Sequence, residues 1–235
     1  MKKMLFAAAF AAGMIGFAKA EDRAWAWSPL GLGIAAPVQL PFVDSDVYGL
    51  RFGGLFGCNA DVFGIDADVV ALETGSMAGI QCSAFSWTSE SVYGIQGSAI
   101  ANVVDGDVFG IQAAFVNADW GEVWGLQLGV VDYCNSFNGV QFGGLNWNNT
   151  PSHGWQTGVA NANQEEFIGL SAGLVGYSLR QEGCQIGVVN IADSMTGVQI
   201  GVVNAVQRAR GVQIGFVNLI CESPLPLMVV ANASF

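Results

Sequence analysis

Few residues in this chain are of a type and spacing that could carry out chemistry. One histidine, His153, follows Pro151 in a stretch rich in turn formers, the ordinary setting of a solvated imidazole. No serine or cysteine stands in a G-x-S-x-G or comparable nucleophile setting. Asp44 and Asp46, and again Asp105 and Asp107, have the D-x-D spacing of oxygen ligands for Ca²⁺. Neither pair sits in a twelve-residue calcium loop or a nonapeptide calcium repeat, so turn-forming aspartate is the better reading. Cys58, Cys82, Cys134, Cys184 and Cys221 are widely spaced and include no C-x-x-C pair, which argues against a zinc ribbon or a redox dithiol. The chain reads as non-enzymatic, without metal or cofactor.

The charges that do stand out are Arg51, Asp66 and Asp68, and their significance lies in the elements that hold them. The pattern G-x-Q-x-G, usually continued as two apolar residues and Asn, recurs through most of the chain. Gly183–Asn190, Gly197–Asn204 and Gly211–Asn218 follow at a spacing of fourteen. Earlier units begin at Gly49, Gly64, Gly79, Gly94, Gly110, Gly125, Gly139, Gly154 and Gly169, which makes twelve. The residue two after the leading Gly is Gln in nine of them: Gln81, Gln96, Gln112, Gln127, Gln141, Gln156, Gln185, Gln199 and Gln213. Arg51, Asp66 and Ser171 are the exceptions.

With period two, Val108, Gly110, Gln112, Ala114 and Val116 fall on one face, and Phe109, Ile111, Ala113, Phe115 and Asn117 on the other. One face is small with a polar centre; the other is apolar. The frequent Gly and the Val and Ile content disfavour helix. The chain therefore reads as all-β, each unit a strand of eight to ten residues and a turn. On the Gln face Arg51 and Asp66 would meet across neighbouring strands, as a register-fixing pair or as charges in a lumen.

The first twenty residues have the form of a signal peptide: basic Lys2 and Lys3, an apolar run from Met4 to Phe17, and the A-x-A site Ala18-Lys19-Ala20. Cleavage there would leave residues 21–235 as one repeat-built domain with 8 − 3 = 5 basic residues against 19 acidic ones. So acidic a chain lacks the cations that nucleic-acid binding requires. With 52% hydrophobic and only 11% charged residues it is also too apolar to be disordered. No apolar run after residue 20 is long enough for a membrane helix.

Such units can alternate up and down as an antiparallel barrel, or stack as parallel coils of a β-solenoid in which Gln forms a ladder and Ile and Val fill a core. V-x-G-x-Q-x-G-x-V reads nearly alike in both directions. Ten residues tilted by about 45° give a height of about 23 Å, which suits an outer-membrane barrel. With terminal strands near 30–40 and 225–235, the expectation is a membrane barrel of 12–14 strands, with the solenoid as the alternative. The barrel predicts a passive pore or structural component of the outer membrane; the solenoid predicts a surface protein for adhesion or self-association.

At G-[VLI]-Q-[IL]-G-[VF]-V-N the chain resembles a family of bacterial surface-exposed repeat proteins, most clearly over residues 183–218. That resemblance implies an envelope location and no defined activity. The ending Leu225 to Phe235 resembles the last strand of outer-membrane barrels, which implies Phe235 as an assembly signal and the barrel-assembly machinery and outer-membrane lipid as partners. Gln185-Ile-Gly-Val-Val-Asn190-Ile-Ala192 also fits the Q-x-G-x-x-N-x-A pattern of curlin subunits. The other units lack the spaced Ala, so this stretch reads as a chance match.

Overall fold

The structure, a computed structural model, describes residues 27–35, 38–41 and 45–234. The expected signal peptide and its cleavage site, Asp44 and Phe235 lie outside the described residues.

Each unit folds back on itself instead of running straight. Val108–Ala113 and Val116–Asp119 are two strands of one coil, joined by a sharp corner at Ala114 and Phe115, and the next coil repeats this with Glu122–Leu128 and Val131–Cys134. The corner forms where the sequence places small residues, such as Gly53-Gly54, Ala113-Ala114, Gly129 and Gly143-Gly144. Coils stack parallel and in register. Gly79 pairs with Gly94, Ile80 with Ile95 and Gln81 with Gln96; one coil on, Gly94 pairs with Gly110, Ile95 with Ile111 and Gln96 with Gln112. The second strands stack likewise, Asn117 beside Asn102 and Asp132. The result is a β-solenoid with two sheet walls, a corner edge and a turn edge.

The expected antiparallel barrel is therefore corrected to parallel coils. The near-palindrome around Gln carries no information on strand direction. Direction is set by what lies outside it: the corner residues and an Asn seven residues after the leading Gly have no mirror counterpart. The leading glycines enforce the stack. All twelve have positive φ, from 109° to 146°, and a Cβ on any of those from Gly64 onward would strike the carbonyl oxygen of the leading Gly one coil earlier.

The ends are closed by different pairings. Trp27–Ala35 adds a parallel strand to Asp46–Gly53, and Val38–Leu40 folds antiparallel onto it. Leu227–Ser234 runs antiparallel along the last coil, setting Asn232 opposite Gln213. Pro224 and Pro226, which would have removed ladder donors inside a strand, sit at its entry.

Candidate functional site

Four positions of each coil point inward. Under the turn edge lies an apolar spine from the residue two before the leading Gly, joined in places by the one nine after it; Met77, Val92, Val104, Val108, Val123, Cys134 and Phe137 form its main cluster, all fully buried. The centre is polar. Eight of the nine Gln, all but Gln185 behind Ser171, donate Nε2–H to the residue at their own position one coil earlier: Gln96 to Gln81 Oε1 at 2.7 Å, Gln112 to Gln96 at 3.0 Å, Gln127 to Gln112 at 3.1 Å and Gln141 to Gln127 at 2.7 Å. Gln156 donates to Gln141 at 3.0 Å, and beyond Ser171 the ladder resumes with Gln199 to Gln185 at 2.7 Å and Gln213 to Gln199 at 2.8 Å. These side chains line no lumen: all nine are fully buried.

A second ladder, of Asn, runs beside the corner. Asn102 donates to Asn117 Oδ1 at 2.9 Å, Asn146 to Asn161 at 2.8 Å, Asn190 to Asn204 at 2.8 Å and Asn204 to Asn218 at 2.8 Å. These donors point to the following coil, opposite to the Gln donors, so the two rows of amide dipoles oppose each other. The signal for this ladder was the recurrent Asn of the motif, which period-two reading of a straight strand assigns to the wrong face. The corner shifts the phase and turns Asn inward.

The ionic exceptions converge at the first coils. Arg51 is 2% exposed; its Nε donates to Asp66 Oδ1 at 2.7 Å, and one terminal nitrogen reaches both Asp68 Oδ2 at 2.6 Å and Glu73 Oε1 at 3.0 Å. The other donates to Asn59 Oδ1 at 3.3 Å. Gln81 continues the ladder by donating to Asp66 Oδ2 at 2.8 Å and to Glu73 Oε1 at 2.8 Å. Gly31 and Gly57 leave room for the cluster: an added Cβ would crowd the Arg51 stem at Gly31, and the Asp68 carboxylate and then the guanidinium at Gly57. Arg51 and Asp66 thus meet, as the spacing implied, within a four-residue cluster; Glu73 was not foreseen. Burial lowers the Arg51 pKa, but Glu73, Asp66 and Asp68 outweigh it and hold the cation charged. Burial raises the Asp68 carboxyl and pushes Glu73 up to about 8, against the pull of Arg51 on both. A single cation faces three carboxyls, and a protonated Glu73 lowers the imbalance.

Two more carboxyls were missed because nothing in their local sequence marks them. Asp119 accepts from Gln112 at 2.9 Å and Gln127 at 2.7 Å, and Asp132 accepts from Asn117 at 2.7 Å. Burial pushes Asp119 up to about 8 and Asp132 up to about 7, with the amide donors pulling the other way. His153 is exposed, its Nδ1 3.1 Å from Asn138 Oδ1. Asp46 and Asp107 accept backbone N–H groups of Asp61 and Glu122 in neighbouring turns, as turn aspartates do. Among the described residues no group of three or more His, Cys, Asp or Glu is placed to hold a metal.

The outer surface inverts the usual order. Ile65, Ile80, Ile95 and Ile111 project from the first wall, with Leu50 before them. The corner carries Leu55, Val69, Phe115, Val130, Val159, Leu174, Val188, Val202 and Phe216, from 45% exposed at Val188 to 72% at Phe216. Among the described residues, every charged side chain outside the core lies between the tenth residue after one leading Gly and the residue before the next, that is, along the turn edge or on the rim of the first wall beside it. Glu90, Asp105, Asp107, Glu122, Glu165, Glu166, Arg180, Arg208 and Glu222 are examples. Among the described residues the corner and the second wall carry no exposed charge, and the first wall carries it only on its rim, at Glu182 and Arg210.

No protein-family profile, curated protein or solved structure matches the chain.

Proposed function

We propose that the chain is an exported, non-enzymatic structural β-solenoid of the outer membrane or cell surface, acting by association through its apolar walls and corner. One observation carries this reading: among the described residues, surface charge is confined to the turn edge and the adjoining rim of the first wall, leaving three contiguous, largely apolar sides. Apolar patches of that extent mark a surface that is covered in use. Among the described residues the interior, filled by amide ladders and an apolar spine, offers no chamber for a substrate or a conducted solute, which favours a structural role over catalysis or transport. The sequence supports export through the residues of its first twenty positions.

The test is expression in a Gram-negative host followed by fractionation. The chain should sediment with the envelope, resist carbonate and urea washes, and be released by detergent. Recovery as a soluble monomer from the periplasm or medium would overturn the proposal.

A further inference from the structure

The apolar sides are graded, and the grading matches one kind of covering. Next to the charged edge, both walls carry aromatic residues with polar tips. On the first wall the row before the leading Gly holds, over the first six coils, Tyr48, Phe63, Tyr93, Phe109 and Trp124 with Ala78 among them, Tyr48 stacked on Phe63 at 4.8 Å and Tyr93 on Phe109 at 5.2 Å; over the last six coils the row is mixed and mostly polar, from Asn138 and His153 to Glu182 and Arg210. On the second wall the corresponding positions include Trp87, Tyr133, Trp147 and Tyr177. Their indole N–H groups are aimed back at the edge: Trp87 donates to Asp105 Oδ2 at 3.3 Å, Trp124 to Glu122 Oε2 at 3.0 Å and Trp147 to Asn149 Oδ1 at 2.9 Å. Further from the edge the exposed side chains are largely Leu, Ile, Val and Phe, ending in the corner row. Water-facing charge, then amphipathic aromatics, then aliphatics is the order of polarity across one side of a bilayer.

The structure points to a lipid leaflet as the partner. We infer that the solenoid lies lengthwise in a membrane as a wedge, the corner row in the hydrocarbon, the aromatic rows at the headgroups and the charged edge in water. This inference rests on the reading that the apolar sides are the working surface. Three further observations carry it. From the aromatic row to the corner is about five residues on the first wall, or about 16 Å at about 3.3 Å each, and about three on the second, or about 10 Å, within half of a hydrocarbon core of about 30 Å. The wedge therefore fits one leaflet and does not span. In the walls the backbone N–H and C=O groups bond along the stack to neighbouring coils, so the walls present little unpaired backbone to lipid. A second rigid copy would cover one wall, whereas a fluid phase covers both walls and the corner together. Since the sides carry charge only on the rim, one acidic Glu182 and one basic Arg210, and the edge is mainly acidic, zwitterionic headgroups suffice.

The experiment is flotation of purified chain lacking residues 1–20 with phosphatidylcholine vesicles. The chain should float, with binding little changed by salt. Bromines placed near the lipid carbonyls should quench its tryptophans more than bromines deep in the acyl chains. A variant with Phe115→Asp, Val130→Asp and Val159→Asp should keep its β-sheet circular dichroism and lose at least tenfold in vesicle binding, while Ser89→Asp with Gln207→Asp on the turn edge should float unchanged. The inference is overturned if the chain stays at the bottom of the gradient, if the corner variant floats equally, or if deep bromines quench best. A soluble oligomer that ignores vesicles overturns it in favour of a second copy; envelope retention in cells would then still stand for the proposed function.

Discussion

Replacing Arg51 by Gln puts into the ladder position the residue that nine of the twelve units use, so shape is preserved and the change is nearly pure charge. Three carboxyls lose their cation at once: Asp66, Asp68 and Glu73, at 2.7, 2.6 and 3.0 Å from the guanidinium. Breaking a buried pair by removing one partner costs about 3–5 kcal/mol, a large share of the roughly 5–15 kcal/mol that holds a domain together. Asp66→Asn is milder. Arg51 keeps Asp68 and Glu73, the carboxyl imbalance falls, and the loss is about one charge-assisted hydrogen bond, about 1.5–3 kcal/mol. The two effects should be unequal and non-additive, since both changes act on one network. Protonation of Asp68 and Glu73, whose carboxyls burial already raises, should also lessen the Arg51→Gln deficit as pH falls from 8 to 5. The assay is guanidinium unfolding followed by tryptophan fluorescence. Equal costs under about 1 kcal/mol for both variants, additive in the double variant, would refute the cluster as the determinant of the first coils.

The raised carboxyls set a pH dependence. The folded pKa values of about 8 for Asp119 and Glu73 and about 7 for Asp132 lie above the ordinary 3.8 and 4.5, so the folded protein holds protons that the unfolded chain releases. Their contribution is fully present below about pH 4 and is lost as pH rises through 7 to 8. Thermal midpoints should therefore be lower at pH 9 than at pH 6, and Asp119→Asn should flatten the dependence; a midpoint that rises over this range would contradict the assignment. Gln127→Leu strands the Gln112 acceptor, the Gln141 donor and one Asp119 oxygen, and should cost about 2–4 kcal/mol in denaturant unfolding, whereas an unchanged midpoint would show that the ladder is not closed there.

Much of this fold was legible because one code repeats. The leading glycines, the Gln position and the polar-against-apolar alternation up to the corner are local features, and period-two reading recovers them directly. The Arg51–Asp66 juxtaposition followed from unit spacing alone. Strand direction was not legible, because Val-x-Gly-x-Gln-x-Gly-x-Val is symmetric about Gln. The corner was lost for a related reason: Ala113-Ala114 and Gly143-Gly144 resemble small residues in a straight strand until the backbone bends there. That bend reverses the face of Asn117, Asp119 and Asp132, so their burial was invisible, as was the outward turn of the Ile row, expected to fill the core of a solenoid. The charge confinement to one edge was present in the sequence, but it takes meaning only when coils stack and align the turns.

The central claim is parallel, in-register stacking of coils around amide ladders, and the most direct measurement is the distance between equivalent positions of adjacent units. Tyr93 and Phe109 each stand just before a leading Gly, and their rings lie 5.2 Å apart. In an antiparallel meander the same two positions would stand at opposite strand ends, about 20 Å or more apart. Nitroxide labels at Tyr93→Cys and Phe109→Cys, in a chain whose five native cysteines are replaced by Ser or Ala, should show strong dipolar broadening in the continuous-wave spectrum. A doubly labelled spectrum equal to the sum of the two singly labelled ones would contradict the solenoid.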